Sequence, residues 1–222
     1  RGLVEIGFFQ DLTPYIPLFL HLDIQKVQET LLQVGQLQAN LENIQIASSR
    51  TQRIVLALKS YTHSSKSDGA MEMTDLVADL DNVLMLYSNQ IKRGIELVKN
   101  YEEVPTIPAY SDELSQVWTN FLQNAIQAME GEGRLEINLK QVDGQVQVQF
   151  IDNGPGIPEE ALQKIFNAFY TTKSKGEGTG LGLNISQKIV EKHHGKIDVE
   201  SEPGRTAFTV TLPIEQPEAT VA

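Results

Sequence analysis

The chain has 222 residues, 41% apolar and 21% charged, with 18 basic and 29 acidic side chains for a net charge of −11. That length carries one or two domains and a sizeable core. An isoelectric point near 4.8 argues against non-specific nucleic-acid binding and against docking on anionic membrane, both of which need a basic face. The absence of cysteine excludes disulfides, thiolate metal sites and a cysteine nucleophile, and no apolar run reaches the ~18 residues that span a bilayer.

The charge is unevenly placed. Residues 1–69 hold 6 basic and 6 acidic side chains, so the whole net charge lies in residues 70–222. Of the 16 glycines, 9 lie between Gly131 and Gly182. The pattern predicts two domains, a helical segment over 1–66 and an acidic, glycine-rich domain over 70–213, with a flexible tail over 214–222. The start at Arg1 has no initiator Met and no signal-peptide pattern, and it reads as a piece of a longer protein.

In chain order, Pro14 and Pro17 restrict the first segment to short helices. A helix is expected from Asp23, with Val27, Leu31, Val34 and Leu37 as its apolar stripe. Over residues 40–65, Ile44, Ala47, Thr51, Ile54, Leu58 and Tyr61 recur at steps of three and four, the a/d seam of a helical bundle. The seam suits a monomeric bundle and a dimer equally. Ser64–Gly69 is a polar linker. Met71–Met73 reads as an edge strand, and a helix follows from about Thr74 to Gln90, capped by Thr74 or Asp75. Ile95–Tyr101 reads as a strand, Pro105–Pro108 as a short extended piece, and Ser111–Met129 as a helix ended by Gly131 and Gly133. Leu135–Gln141 and Gln145–Ile151 alternate around Asp143-Gly144, a hairpin signal. A glycine-rich loop spans Ser174–Gly182, a helix runs to His193, and Ile197–Ser201 with Ala207–Leu212 form a last strand pair. The second half is therefore α+β, with a mainly antiparallel sheet and helices on one face.

Four features of this half bear on chemistry. Asn120 and Asn124 stand one turn apart on the helix expected over Ser111–Met129 and share a face. An Asn carbonyl is a hard oxygen suited to Mg²⁺, although the pair alone fits a solvated face as well. Asp152-Asn153-Gly154-Pro155-Gly156 ends a strand, where a carboxylate can accept from an amino group such as adenine's and the glycines let backbone approach a flat base. A plain turn would look the same. Phe166-Asn167-Ala168-Phe169 could pin the base of a mobile segment that carries Thr172 and Lys173, the lysine in reach of phosphate, or could be core aromatics beside a surface lysine. Gly178-Thr179-Gly180-Leu181-Gly182 runs straight into a helix, which makes a phosphate cradle. It is neither a Walker motif nor a dinucleotide fingerprint.

In this order, the four resemble the ATP-binding domain of sensor histidine kinases, in the superfamily shared with type II topoisomerases, MutL and the ninety-kilodalton heat-shock chaperones. Asn120/Asn124 match the N box, Asp152–Gly156 the first glycine box, Phe166–Phe169 the F box and Gly178–Gly182 the second. The resemblance covers residues 70–213. It implies a two-layer α/β sandwich with ATP under a lid over about Ala168–Gly180. It further implies Mg²⁺ on Asn124 and the adenine amino group on Asp152. Gly154 and Gly156 would shape the base pocket, with Thr206 nearby. Phe169, Thr172, Lys173, Thr179, Gly182 and the amides of Gly178, Gly180 and Leu181 would line the nucleotide, with Asn120, Asn124 and Lys173 as the catalytic residues. In hydrolytic relatives a Glu four residues before the second Asn activates water. Asn120 stands there and cannot act as a base, which favours phosphoryl transfer.

An acceptor histidine followed by Glu or Asp is expected in such a kinase. None of His21, His63, His193 and His194 has that context. His193 and His194 read as a surface pair capping a helix. The acceptor is therefore expected before Arg1, with a response regulator receiver domain as partner, a homodimer formed through the helical region, and a cytoplasmic location. The alternatives are a nucleotide-gated docking module without catalysis, and a serine-directed kinase or ATPase of the same superfamily.

Overall fold

The computed structural model describes residues 71–173 and 178–215 continuously, and scattered positions between 26 and 44. The chain divides into two compact units, Arg1–Leu56 and Ala57–Ala222. In the first unit the described positions are helical, and Val34, Leu37, Leu41 and Ile44 are exposed. The expected elements before residue 26, the bundle helix beyond Ile44, the linker and residues 216–222 lie outside the described residues.

The second unit opens with β1 (Glu72–Thr74), α1 (Leu76–Leu86), α2 (Ser88–Ile91), β2 (Ile95–Tyr101) and β3 (Ile107–Ala109). It continues with α3 (Ser111–Ala128), β4 (Gly133–Val142), β5 (Gln145–Asp152), α4 (Glu159–Leu162), α5 (Gly182–Lys192), β6 (Lys196–Glu202) and β7 (Arg205–Pro213). Asp75 caps α1, accepting from the amides of Val77 and Ala78, as an acidic N-cap should. The helix expected to reach Gln90 breaks at Tyr87, whose amide bonds back to the Leu84 carbonyl. The short α4 was not foreseen; Pro158 and two glutamates in its first turn are the sequence signal that marks it. β7 extends to Pro213 opposite Gln145.

The main sheet has the order β2-β4-β5-β7-β6, and β1 pairs with β3 in a separate ribbon. β2 joins β4 in parallel, and all other pairings are antiparallel. The β4–β5 turn places Asp143 at φ 49° and Gly144 at φ 73°, both left-handed, as a two-residue hairpin requires. Strand alternation then sets the layers. Val146, Val148, Phe150 and Asp152 turn inward, and Gln147 and Gln149 turn to the open face. There Asn100, Asn138, Gln149 and Thr209 form a hydrogen-bonded row across four strands.

On the inner face, α3 buries Leu114, Val117, Trp118, Phe121, Leu122, Ala125 and Ile126. Trp118 stacks on Phe150 at 6.1 Å and Phe121 on Phe208 at 5.0 Å between ring centroids. The buried carboxylate of Asp79 on α1 accepts from Ser115 Oγ at 2.6 Å, Ser111 Oγ at 3.2 Å and Trp118 Nε1 at 3.0 Å. A buried carboxylate is tolerable only with such a full set of donors.

His193 departs from its expected surface place. It is fully buried, and its Nε2 accepts from the Tyr110 amide at 3.0 Å. Nδ1 therefore carries the proton and donates to the Ile189 carbonyl at 2.7 Å. Burial holds this imidazole below its ordinary range, against the opposing effect of the Ile189 bond. His194 follows at φ 57°. The Gly195 amide bonds to Val190 O and the His194 amide to Glu191 O, a Schellman closure with a non-glycine at its left-handed position. Gly195 itself is required, since a Cβ there would lie 2.4 Å from the Thr211 carbonyl.

Two outcomes are expected. His194→Gly removes left-handed strain of about 1 kcal/mol and raises the melting temperature by roughly 2–4 °C in a thermal scan. Below pH ~6.5 the unfolded imidazole of residue 193 takes a proton that the folded one resists. Stability therefore falls as pH drops through that point toward the lowered folded value. His193→Gln, which keeps an acceptor for Tyr110, flattens this part of the melting-temperature profile.

Candidate active site

One stripe of α3 organises the site. Asn120, Asn124 and Ala128 follow at intervals of four and so share a face, which flanks the aromatic side that anchors the helix. Asn120 gives both amide protons to α5, one to the Gly182 carbonyl at 3.1 Å and one to Ser186 Oγ at 3.0 Å. Asn124 Oδ1 accepts from Lys173 Nζ at 3.1 Å, and Lys173 also donates to Gln127 Oε1. Ala128 abuts Gly154, where an added Cβ would lie 3.1 Å from the alanine's own. All three loop segments therefore meet this one helix face.

Asp152 ends β5 with its side chain turned inward and 5% exposed. Its Oδ1 accepts from the Gly154 amide at 2.9 Å, which leaves Oδ2 for a ligand's amino group. Burial pushes this carboxyl above the ordinary carboxylate value, and the Gly154 bond partly offsets that. Thr206 on β7 sits directly opposite Asp152 in register, with Oγ1 3.0 Å from Ser201 Oγ. Ser201, which no motif marked, also takes the Ile157 amide at 2.7 Å and so fixes the loop. Gly156, at φ 84°, lies against the turn after β6, where a Cβ would meet the Glu202 carbonyl at 2.5 Å.

The second glycine segment closes on the aromatic one. The Phe169 amide donates to the Gly180 carbonyl at 2.8 Å, and both residues are left-handed, at φ 68° and 63°. A Cβ on Gly180 would lie 2.4 Å from Phe169 backbone. Gly178 crosses Thr171 just as tightly, and Thr179 Oγ1 accepts from the Leu181 amide at 3.4 Å. The two aromatics do not pin this base together: Phe166 packs against the core, but Phe169 is 73% exposed. Thr172 is exposed. Residues 174–177 lie outside the described residues.

Leu181 precedes α5 without a side-chain cap, so the first amides of the helix face outward with the positive end of its dipole, a setting for phosphate. Among the described residues no group of three His, Asp or Glu could hold a metal ion. The lysine ammonium at Asn124 Oδ1 shows that this oxygen is oriented for a cation. A single Asn oxygen fits Mg²⁺ that arrives with nucleotide phosphates and keeps its waters.

The domain is thus a two-layer sandwich with a buried carboxylate at the end of a central strand and glycine loops on a helix face. Residues 109–216 match the family described as histidine kinase-, DNA gyrase B- and HSP90-like ATPases. The catalytic domain of the histidine kinase ThkA, solved free of nucleotide, is 34% identical with a TM-score of 0.60, covering 65% of this chain and 97% of that one. Sporulation kinase E of Bacillus subtilis is 33% identical over 77% of this chain and 24% of its own length. The sensory histidine kinase/phosphatase NtrB of Rhodobacter capsulatus is 32% identical over 83% of this chain and 56% of its own. The chain belongs to the histidine kinase ATPase-domain family, and it spans between about a quarter and somewhat over half of these two curated relatives.

Asp152→Asn tests the base pocket from both sides. It should weaken ATP binding roughly 100-fold or more, the value of a lost bond to a charged acceptor. A raised carboxyl means that stability is lost as pH rises through the folded value, so the buried charge costs stability at neutral pH. The nucleotide-free variant should therefore melt higher than the parent while losing its ATP-induced shift. Calorimetry and thermal scans check both.

Proposed function

We propose that this chain is the ATP-binding catalytic part of a two-component sensor histidine kinase, passing the γ-phosphoryl group of ATP to a histidine outside the chain. The observation that carries the proposal is the convergence of all three loop segments on the Asn120–Asn124–Ala128 stripe of α3. Family membership supports the same reading.

In this reading Asp152 accepts from the adenine amino group, with Gly154, Gly156 and Thr206 walling the base. The open amides at the start of α5, with Gly178, Thr179, Gly180, Leu181 and Gly182, receive the phosphates, and Lys173 adds a cation. Asn124 holds Mg²⁺. When bound, that ion neutralises the phosphate oxygens of a domain that is itself strongly acidic. Asn120 offers no base, and its amide protons are committed to α5, so it positions the phosphate-binding helix rather than activating water. Transfer then depends on placing the γ-phosphoryl in line with an incoming imidazole.

None of the chain's histidines precedes an acidic residue, and His193 is buried in a structural role. The acceptor is therefore supplied by another segment. Residues 1–66 serve as a helical dimerisation region, and a response regulator receiver domain takes the phosphoryl group onward. No helix among the described residues is long and apolar enough to cross a membrane. In this reading the catalytic part works in the cytoplasm.

The purified chain should show a Mg²⁺-dependent thermal shift with ATP, negligible stable radiolabelling from γ-labelled ATP, and slow phosphate release. Adding a separate segment with a His-Glu or His-Asp acceptor should restore labelling. Stable self-labelling, or rapid hydrolysis without transfer, would overturn the proposal.

A further inference from the structure

The ammonium of Lys173 stands where the metal is expected to stand. It donates to Asn124 Oδ1 at 3.1 Å and also to Gln127 Oε1. Gln127 matches none of the nucleotide motifs. It sits one turn beyond Asn124 on α3, in reach of the same cation, and its side chain is exposed.

We propose that Gln127 is a positioning residue which, in the nucleotide-free protein, parks Lys173 on Asn124, so that Lys173 acts as an internal cation competing with Mg²⁺ for Oδ1. The proposal rests on the reading that Asn124 holds the metal. Mg²⁺ binds oxygen at about 2.0–2.1 Å and insists on a near-octahedral shell of waters and phosphate oxygens. An ammonium hydrogen-bonded to the same oxygen would intrude on that shell and repel the ion. Each cation therefore excludes the other, and the metal-bearing nucleotide binds only the fraction of molecules in which Lys173 has left.

Two consequences follow from this competition. Apparent affinity for the metal-nucleotide is reduced by the fraction of molecules with Asn124 uncovered. Lys173 also changes partner: it donates to the neutral Asn124 carboxamide before binding and to a phosphate after it. Gln127 biases the first state, because a second acceptor makes the parked position a bidentate one. Removing Gln127 should favour Mg²⁺-nucleotide binding, whereas removing Lys173 should have opposite effects on the metal requirement and on the final affinity.

The test titrates Mg²⁺ at fixed ATP and reads nucleotide binding by calorimetry, in the parent chain and in the Gln127→Ala, Lys173→Met and Asn124→Ala variants. Nucleotide-free melting temperatures confirm that each variant is folded. Gln127→Ala should lower the Mg²⁺ concentration for half-maximal binding by about 3–10-fold, the net worth of one ordinary hydrogen bond. Lys173→Met should lower it too, while weakening ATP binding at saturating Mg²⁺. An unchanged or raised Mg²⁺ requirement in Gln127→Ala would overturn the competition. A Mg²⁺ requirement unaffected by Asn124→Ala would instead overturn the assignment of the metal to Asn124, which separates the two failures.

Discussion

The site depends first on the way α3 is fixed across the sheet. Its aromatic face, Trp118 and Phe121 stacked on Phe150 and Phe208, is buried without remainder. The carboxylate of Asp79 then stops the helix from sliding or rotating, because two serines and the Trp118 indole must all reach it at once. A buried charge with a missing donor is costly, so the interaction is close to all-or-none. With one face immobilised, the flanking stripe presents Asn120, Asn124 and Ala128 at fixed heights. Three loops with little regular structure of their own are placed by touching it.

This division of labour explains which parts were legible in the sequence. The alternation of β4 and β5 and the Asp143-Gly144 turn are local signals, and the structure has them where the pattern put them. The amphipathic run of α3 is equally local, and so is the capping of α1 by Asp75. The break at Tyr87 was not legible, because nothing in the helical pattern shows that the chain turns there. The burial of His193 was not legible either. Its partner, the Tyr110 amide, is 83 residues away, and a His before His-Gly at a helix end looks the same whether it meets solvent or a backbone donor.

The candidate site shows the same contrast. Glycines at 154, 156, 178 and 180 stood out by composition, and each lies where a side chain would collide with a neighbour. Ser201 and Gln127 did not stand out, since a serine on a strand and a glutamine on an exposed helix face carry no signal of their own. What makes them part of the site is the segment folded against them. The aromatic pair misled in the opposite sense. Two phenylalanines three residues apart suggested a common anchor, but the left-handed backbone at Phe169 turns the second ring away from the core.

The strand order has a consequence for biosynthesis. β7 is the last of the five strands to be made, yet it lies between β5 and β6 and supplies Thr206 opposite Asp152. Pairing β5 with β7 closes a loop that holds α4, α5 and β6, a non-local contact of the kind that slows folding. Until β7 leaves the ribosome, β5 is an open edge beside β4, with its row of backbone donors and acceptors available to the wrong partner. A nascent chain therefore carries every loop of the candidate site before it has the strand that places Thr206 opposite Asp152. The candidate site is therefore completed only once β7 has paired, and a polypeptide stopped short of Arg205 keeps an open sheet edge.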